Sequence, residues 1–252
     1  MKKNILVKLK PIKLNITKKL KQSRYRFHKL QGKSTVHFLH IGKTGGTAIK
    51  TALAPTPIVN SYVIYLHGHK VNLRDIPKGE KVIFFLRDPI SRFISGFYSR
   101  KRQGRPKYNV QWSPEEEIVF KQFETPRELA VSISSSDKSM RESAINAMKS
   151  IKHVNNSYWD WFDTEEYFFS RLSDFLFIGF QETLEQDFIV LKKILKLPEN
   201  IQLPNDSFAA HKNPSNVDTY LDDIAKSNLS QWYARDYKFL DLCKNISQKW
   251  HC

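Results

Sequence analysis

A glycine-rich turn with a single lysine is the first segment of this chain whose residue types could do chemistry. It reads Lys-Thr-Gly-Gly-Thr from Lys43 to Thr47 and stands between an apolar stretch that ends at Ile41 and a helix-compatible stretch over 48–54. Glycines let the backbone close around an oxyanion, a helix N-terminus offers unpaired N–H groups, and a lysine adds a cation. The segment therefore predicts a strand leading into a phosphate-binding turn, with Lys43 placed to stabilise a leaving group. An ordinary Gly-Gly turn with a solvated lysine is the alternative.

This turn departs from the Walker pattern of nucleoside triphosphate-binding loops. That pattern requires a glycine at the position that His37 occupies. Because the lysine here precedes the paired glycines, it would lie at the edge of any phosphate that the turn holds.

A second segment joins an arginine to a serine eight positions later. Arg87, Asp88 and Pro89 follow the apolar run 82–86, which is typical of a buried parallel strand, and proline suits the first position of a helix. Arg87 is therefore expected at the carboxyl end of a strand, where α/β sheets bind ligands and where an arginine fork suits a phosphate. Ser95 would add a hydroxyl about two helical turns later. The alternative is that Arg87 and Asp88 form a capping ion pair.

Two histidines separated by a glycine, His67 and His69, form the third candidate. Imidazole titrates near neutral pH, so His69 could accept a proton from a hydroxyl, with His67 in support. The alternative is a pair of structural histidines at the end of a strand. We predict no metal site, because no third ligand stands at a recognisable spacing and the only cysteines are Cys243 and Cys252.

Together the three segments resemble the nucleotide-binding elements of the sulfotransferases, in the branch that contains the heparan and chondroitin sulfate 2-O-sulfotransferases and their bacterial relatives. The resemblance implies a three-layer α/β/α fold with a P-loop-like turn. It also implies transfer of a sulfuryl group from 3′-phosphoadenosine 5′-phosphosulfate (PAPS) to a hydroxyl of a carbohydrate or glycoconjugate, without a metal. One departure is Gly42, where the family usually has proline.

The same resemblance assigns roles to individual residues. The 5′-phosphosulfate would be bound by the turn, that is by Lys43, Thr44, Gly45, Gly46 and Thr47. The 3′-phosphate would be bound by Arg87 and Ser95. His69 would be the general base, Lys43 a second catalytic residue, and His67 a supporting one. Lys212, in a turn-forming stretch where related enzymes fold a loop over the nucleotide, is a further candidate ligand.

Two other functions remain open from the sequence. The first is a nucleotide-dependent kinase that uses the same turn, for which Asp88 is the nearby carboxylate that could hold magnesium. The second is a non-enzymatic module that binds lipid or a polyanion through the basic N-terminal segment.

Charge divides the chain into a basic tail, residues 1–33, and a domain, residues 34–252. The tail contains ten lysines, two arginines and no acidic residue, so it carries most of the formal net charge of +16. Lysines interrupt its apolar residues too often for a membrane span or a secretory signal. The alternatives for this tail are contact with anionic lipid, contact with nucleic acid, and disorder. We expect no nucleic acid, because no binding motif surrounds Tyr25 and Phe27.

Composition and hydrophobic pattern predict one domain. The chain has 252 residues, of which 40% are hydrophobic, enough to bury a core without disulfides. We expect a bacterial, cytoplasmic protein, in peripheral contact with the inner face of the membrane if the tail binds lipid. Alternating elements predict a central, mainly parallel sheet between helices. The predicted strands are 35–41, 59–66, 81–86 and 175–180, and the predicted helices are 45–54, 90–103, 114–123, 126–135, 139–152, 182–196 and 228–243.

Overall fold

A five-stranded sheet organises the part of the chain that the structure describes. The structure is a computed structural model and describes residues 30–59, 61–206 and 217–249, together with Phe27 and Pro214. The strands are β1 (Ser34–Leu39), β2 (Ile58–Val59), β3 (Tyr62–Leu66), β4 (Lys81–Leu86) and β5 (Phe175–Phe180). Their order is β2-β3-β1-β4-β5, with β2 antiparallel to β3 and all other pairs parallel. The carboxyl ends of β1, β3 and β4 therefore meet at one edge.

Ten helices surround this sheet in the described ranges. They are α1 (Gly46–Leu53), α2 (Pro89–Lys101), α3 (Pro114–Gln122), α4 (Pro126–Ser132), α5 (Lys138–Ser150), α6 (Trp159–Phe162), α7 (Glu165–Ser170), α8 (Leu184–Leu195), α9 (Asp223–Trp232) and α10 (Ala234–Lys249). Short 3-10 turns occupy Leu73–Asp75 and Leu172–Asp174. Local sequence fixes several helix starts. Asp88, Ser113 and Thr125 each accept a backbone N–H as the N-cap, and a proline follows each of them.

Apolar side chains cover both faces of the sheet, which confirms the predicted three-layer α/β architecture. On one face, residues of α1 and α8 such as Ile49 and Leu191 pack against strand residues such as Phe38 and Phe85. On the other face, α6, α7 and α10 pack against β4 and β5. A third cluster lies among α2, α3, α4, α5 and α9. None of the helices in the described ranges combines the length and the apolar character that a membrane span requires.

Two predicted elements were wrong, because each of them spans a turn or a break in the backbone. The strand predicted over 59–66 is two antiparallel strands, since the chain reverses between Val59 and Tyr62, which pair with each other. The helix predicted over 228–243 is divided between α9 and α10 at Tyr233. The backbone of Tyr233 leaves the helical conformation, and the buried Tyr233 hydroxyl donates to the Val154 carbonyl at 2.9 Å.

Candidate active site

The edge where β1, β3 and β4 end borders a cavity of about 670 Å³. Each strand delivers one predicted segment to this edge: the glycine turn follows β1, His69 follows β3, and Arg87 follows β4. Ser95 joins them from α2. The predicted site residues that line the cavity are Lys43, Gly45, Gly46, Thr47, His69, Arg87 and Ser95.

The turn between β1 and α1 has the conformation of an anion cradle. Lys43 and Gly45 adopt positive φ angles of 69° and 81°, which reverse the chain tightly before α1 begins. No side chain caps α1, and no acidic residue lies in its first turn. Its first backbone N–H groups and its positive dipole end are therefore available to an anion.

Gly46 is needed at the start of α1 because a histidine ring lies against it. A Cβ atom at this position would lie 2.2 Å from His40 Cδ2 and 2.5 Å from His40 Nε2. Only glycine lets the backbone approach the ring this closely.

Two predicted side chains are not brought into the cavity. The Thr44 hydroxyl donates to the Ile41 carbonyl at 3.1 Å and is buried, so it stabilises the turn. His67 Nε2 lies 2.8 Å from His37 Nδ1, and His37 Nε2 in turn contacts Glu80. His67 thus belongs to a histidine–glutamate chain beside the cavity. The predicted ligand Lys212 lies outside the described residues.

Cations are concentrated around the turn. Burial and the neighbouring positive charges of Arg102 and Arg87 lower the pKa of Lys43 to about 7. Burial also lowers the pKa of Arg87. Arg87 Nη1 donates to the Lys43 carbonyl at 3.5 Å, whereas Arg87 Nε is buried without a partner in the described ranges. A bound anion would offset the repulsion among these cations and could accept a hydrogen bond from Arg87 Nε.

The hydrogen bonds of His69 suit it to accept a proton. Its Nδ1 lies 3.2 Å from the carbonyl oxygen of His40 and donates to it, which leaves the lone pair of the neutral ring on Nε2. Partial desolvation of its ring lowers the pKa of His69, and the nearby Lys50 and Lys43 lower it further, although the bond to His40 acts in the opposite direction. The ring is therefore neutral at neutral pH. Trp161 Nε1 donates to the His69 carbonyl at 3.2 Å and holds its backbone in place.

Sequence reasoning missed two further histidines in the cavity, His40 and His153. Their ring centroids lie 3.9 Å and 5.7 Å, respectively, from that of His69. Burial is the main cause that lowers the pKa of each to about 2. His40 could have been found from its position between strand β1 and the glycine turn. His153 follows α5 with a positive φ of 73°, and no sequence motif points to it.

Arg92 fixes the beginning of the turn by a hydrogen bond to its backbone. It is buried on α2, where Nε donates to the Gly42 carbonyl at 3.1 Å and Nη1 donates to the Asn156 carbonyl at 2.8 Å. Its guanidinium also lies over the Tyr158 ring, 4.8 Å from the centroid. Arg92 therefore fixes the turn relative to the segment after α5.

Both oxygens of Asp88, the carboxylate considered for magnesium, accept hydrogen bonds from the protein. Asp88 Oδ1 accepts the Ser91 N–H at 2.7 Å, and Oδ2 accepts the Tyr237 hydroxyl at 2.8 Å. Asp88 does not line the cavity. Within the described ranges, no group of three or more His, Cys, Asp or Glu residues could hold a metal ion.

Comparison with known proteins identifies the family. The model of the "Sulfotransferase family" matches residues 29–242, a range that includes every candidate site residue. The match covers the family as a whole and does not single out the 2-O-sulfotransferase branch. None of the curated proteins matches the chain. Since the family model spans most of the sequence and the site has the geometry described above, the chain belongs to the sulfotransferase family.

Proposed function

We propose that the protein transfers a sulfuryl group from PAPS to a hydroxyl of a carbohydrate or glycoconjugate. The observation that carries this proposal is the single cavity shared by the glycine turn, Arg87 with Ser95, and His69. A nucleotide with phosphates at both its 3′ and 5′ positions needs two separate anion sites. The acceptor needs a base beside one of them.

The residues present fit such a donor. The first N–H groups of α1 and the Lys43 ammonium would bind the 5′-phosphosulfate, since no acidic side chain lies in the first turn of this helix. Arg87 and Ser95 would bind the 3′-phosphate, and the unpaired Arg87 Nε supplies a donor for it.

PAPS supplies an activated sulfuryl group, whose sulfur forms a bond to the acceptor oxygen as its bond to the bridging phosphate oxygen breaks. His69 Nε2 takes the proton that the acceptor hydroxyl loses. The Lys43 ammonium neutralises the negative charge that develops on the bridging oxygen. Positioned donors of this kind contribute about 10²- to 10³-fold to a rate.

The experiment that tests this proposal is transfer of labelled sulfate from PAPS to a panel of sugars by the purified chain. We expect at least one sugar to be labelled and 3′-phosphoadenosine 5′-phosphate (PAP) to be released in equal amount. Absence of transfer to every hydroxyl acceptor, together with phosphate transfer from ATP and magnesium, would favour the kinase hypothesis instead. The two bonds that occupy Asp88 argue against that hypothesis.

We also propose that the basic tail contacts anionic membrane surfaces. Its charge supports this, since twelve basic residues without an acidic one are attracted to anionic lipid. Sedimentation with phosphatidylserine vesicles and with phosphatidylcholine vesicles would test it. The full chain should bind only the anionic vesicles, and a variant that lacks residues 1–33 should bind neither. If that variant also lost PAP binding, the non-enzymatic hypothesis would gain support.

A further inference from the structure

His40 is placed between the anion cradle and the proposed base, although no function has been assigned to it so far. Its ring lies against Gly46, and its centroid lies 3.9 Å from that of the His69 ring. It is only 5% exposed, and it still lines the cavity. Its ring thus lies beside both the start of α1 and the proposed base.

The surroundings of its two nitrogens determine where its proton lies. Nδ1 is buried and has no partner in the described ranges, so an N–H there would be an unsatisfied buried donor. Nε2 is at the end of the ring that lies against Gly46, at the start of α1. In a neutral imidazole one nitrogen donates and the other accepts, and the available partner selects the tautomer. An anion at the start of α1 could accept a hydrogen bond from Nε2, whereas Nδ1 has no acceptor in the described ranges, so we expect the proton of His40 on Nε2.

The His40 and His69 rings, whose planes are tilted by 37°, are then expected to have opposite tautomers. His69 donates from Nδ1 to the His40 carbonyl and keeps its lone pair on Nε2. His40 keeps its lone pair on Nδ1 and directs its N–H toward the cradle. Burial together with the adjacent His69 lowers the pKa of His40 to about 2, so the ring is neutral at neutral pH and has one N–H group that can donate a hydrogen bond.

We propose that His40 is a further catalytic residue, a neutral imidazole whose Nε2–H donates a hydrogen bond to an oxygen of the anion held by the glycine turn. The inference rests on the proposed donor. Lys43 would then act on the bridging oxygen, whereas His40 would act on a non-bridging oxygen of the same group. A neutral donor suits this place, because a further cation would add to the repulsion around Lys43.

Two amide substitutions separate hydrogen bonding from packing. In His40→Gln the side-chain amide nitrogen can occupy the position of Nε2, whereas in His40→Asn it can occupy only that of Nδ1. We expect His40→Gln to keep kcat within about fivefold of the wild type. His40→Asn should lose on the order of ten- to hundredfold, the effect of removing one hydrogen bond to a charged group. Equal losses in the two variants, or no loss in either, would overturn the inference.

A measurement on the wild-type chain keeps the inference testable if a variant does not fold. Long-range ¹H–¹⁵N NMR correlations of the histidine rings distinguish the two tautomers. We expect His40 to be protonated at Nε2, and we expect the ¹⁵N chemical shift of this nitrogen to change when PAP is added. Protonation at Nδ1, or an unchanged Nε2 signal at saturating PAP, would contradict the proposal.

The controls distinguish this inference from the proposed function. Wild-type PAP binding and sulfate transfer from PAPS are measured first. If both are present and His40→Asn behaves as the wild type, only the role of His40 is wrong. If the wild-type chain neither binds PAP nor uses PAPS, the proposed function fails and the inference fails with it.

Discussion

Lys43 shows at the scale of one residue how the site favours function over stability. Its folded pKa of about 7 lies below the ordinary value of 10.5, because it is half-buried beside Arg102 and Arg87. The unfolded chain therefore binds more protons than the folded chain between these pH values. By linkage, the Lys43 ammonium opposes folding most strongly below about pH 7, and this cost disappears as the pH rises toward 10.

The first prediction concerns the substitution Lys43→Met. We expect kcat to fall by about 10²- to 10³-fold, because the charge on the leaving group loses its stabilising cation. At pH 6 the variant should be at least as resistant to urea as the wild type, and the difference should shrink from pH 7 to pH 10. Steady-state kinetics and urea unfolding measure the two effects. Lys193→Met, at an exposed position on α8, is the matched control and should change neither. Wild-type turnover by Lys43→Met would refute the assignment.

The second prediction separates the proposed base from nucleotide binding. In His69→Asn the amide can still donate to the His40 carbonyl as Nδ1 does, but the Nε2 lone pair is absent. We expect kcat to fall by about 10²- to 10⁴-fold, with PAP affinity nearly unchanged. Because the pKa of His69 is lowered from 6.5, the acid-side decline of the wild-type rate should lie below pH 6.5. That decline should be absent from the residual activity of the variant. A variant that retains both the rate and its pH dependence would show that another group removes the proton.

At the scale of elements, the turn before α1 depends on close contact between glycine and imidazole. Gly46→Ala would place its Cβ 2.2 Å from His40 Cδ2, so either the ring or the helix start must move. We expect a loss of about 1–3 kcal/mol in the free energy of unfolding, the usual cost of overpacking, together with weaker PAP binding. Urea unfolding and calorimetry measure these effects.

Gly68→Ala is the matched control for the substitution at Gly46. Nothing lies within 4 Å of a Cβ atom at Gly68, so its unfolding free energy should stay within about 0.5 kcal/mol of the wild type. Equal stabilities of the two alanine variants would mean that the His40 ring can move away from α1 without cost.

Sequence predicted the elements whose determinants are local. The strands 81–86 and 175–180 agree with β4 and β5, because apolar runs of about six residues suit a buried strand and are shorter than a typical helix. The turn over 43–47 and the position of Arg87 follow from contiguous residue patterns. The reversal between Val59 and Tyr62 was missed although Asn60 and Ser61, which are residue types common in turns, interrupt the apolar pattern there.

The part of the site that the sequence did not predict depends on tertiary contacts. His40 and His153 are separated by more than one hundred positions, and packing alone brings both to His69. The position of His67 likewise depends on His37 and Glu80 across the sheet. A sequence pattern contains residue types and spacings, but it does not contain these contacts. The roles of the individual site residues therefore remain predictions until variants are measured.

At the scale of the whole molecule, the buried neutral histidines make the fold sensitive to acid. The folded pKa values of His40 and His153 are near 2, against an ordinary value of 6.5. Below about pH 6.5 the unfolded chain takes up protons that the folded chain cannot, so stability is complete above this pH and is lost as the pH falls.

The prediction that follows is a lower urea midpoint at pH 5 than at pH 7. Each fully neutral histidine accounts for up to about 2 kcal/mol over this interval. A double variant, His40→Asn with His153→Asn, should depend less on pH over the same interval, whatever its stability at pH 7. If the wild-type midpoint stayed constant between pH 7 and pH 5, the burial of these rings would be contradicted.

The central claim for the whole molecule is that one cavity binds both phosphates of one nucleotide. Calorimetric titration with PAP and with adenosine 5′-monophosphate, which differs from PAP only by lacking the 3′-phosphate, tests it most directly. We expect PAP to bind the wild-type chain on the order of ten- to hundredfold more tightly, and we expect this preference to disappear in Arg87→Ala. Equal affinities of the wild-type chain for the two nucleotides would contradict the account.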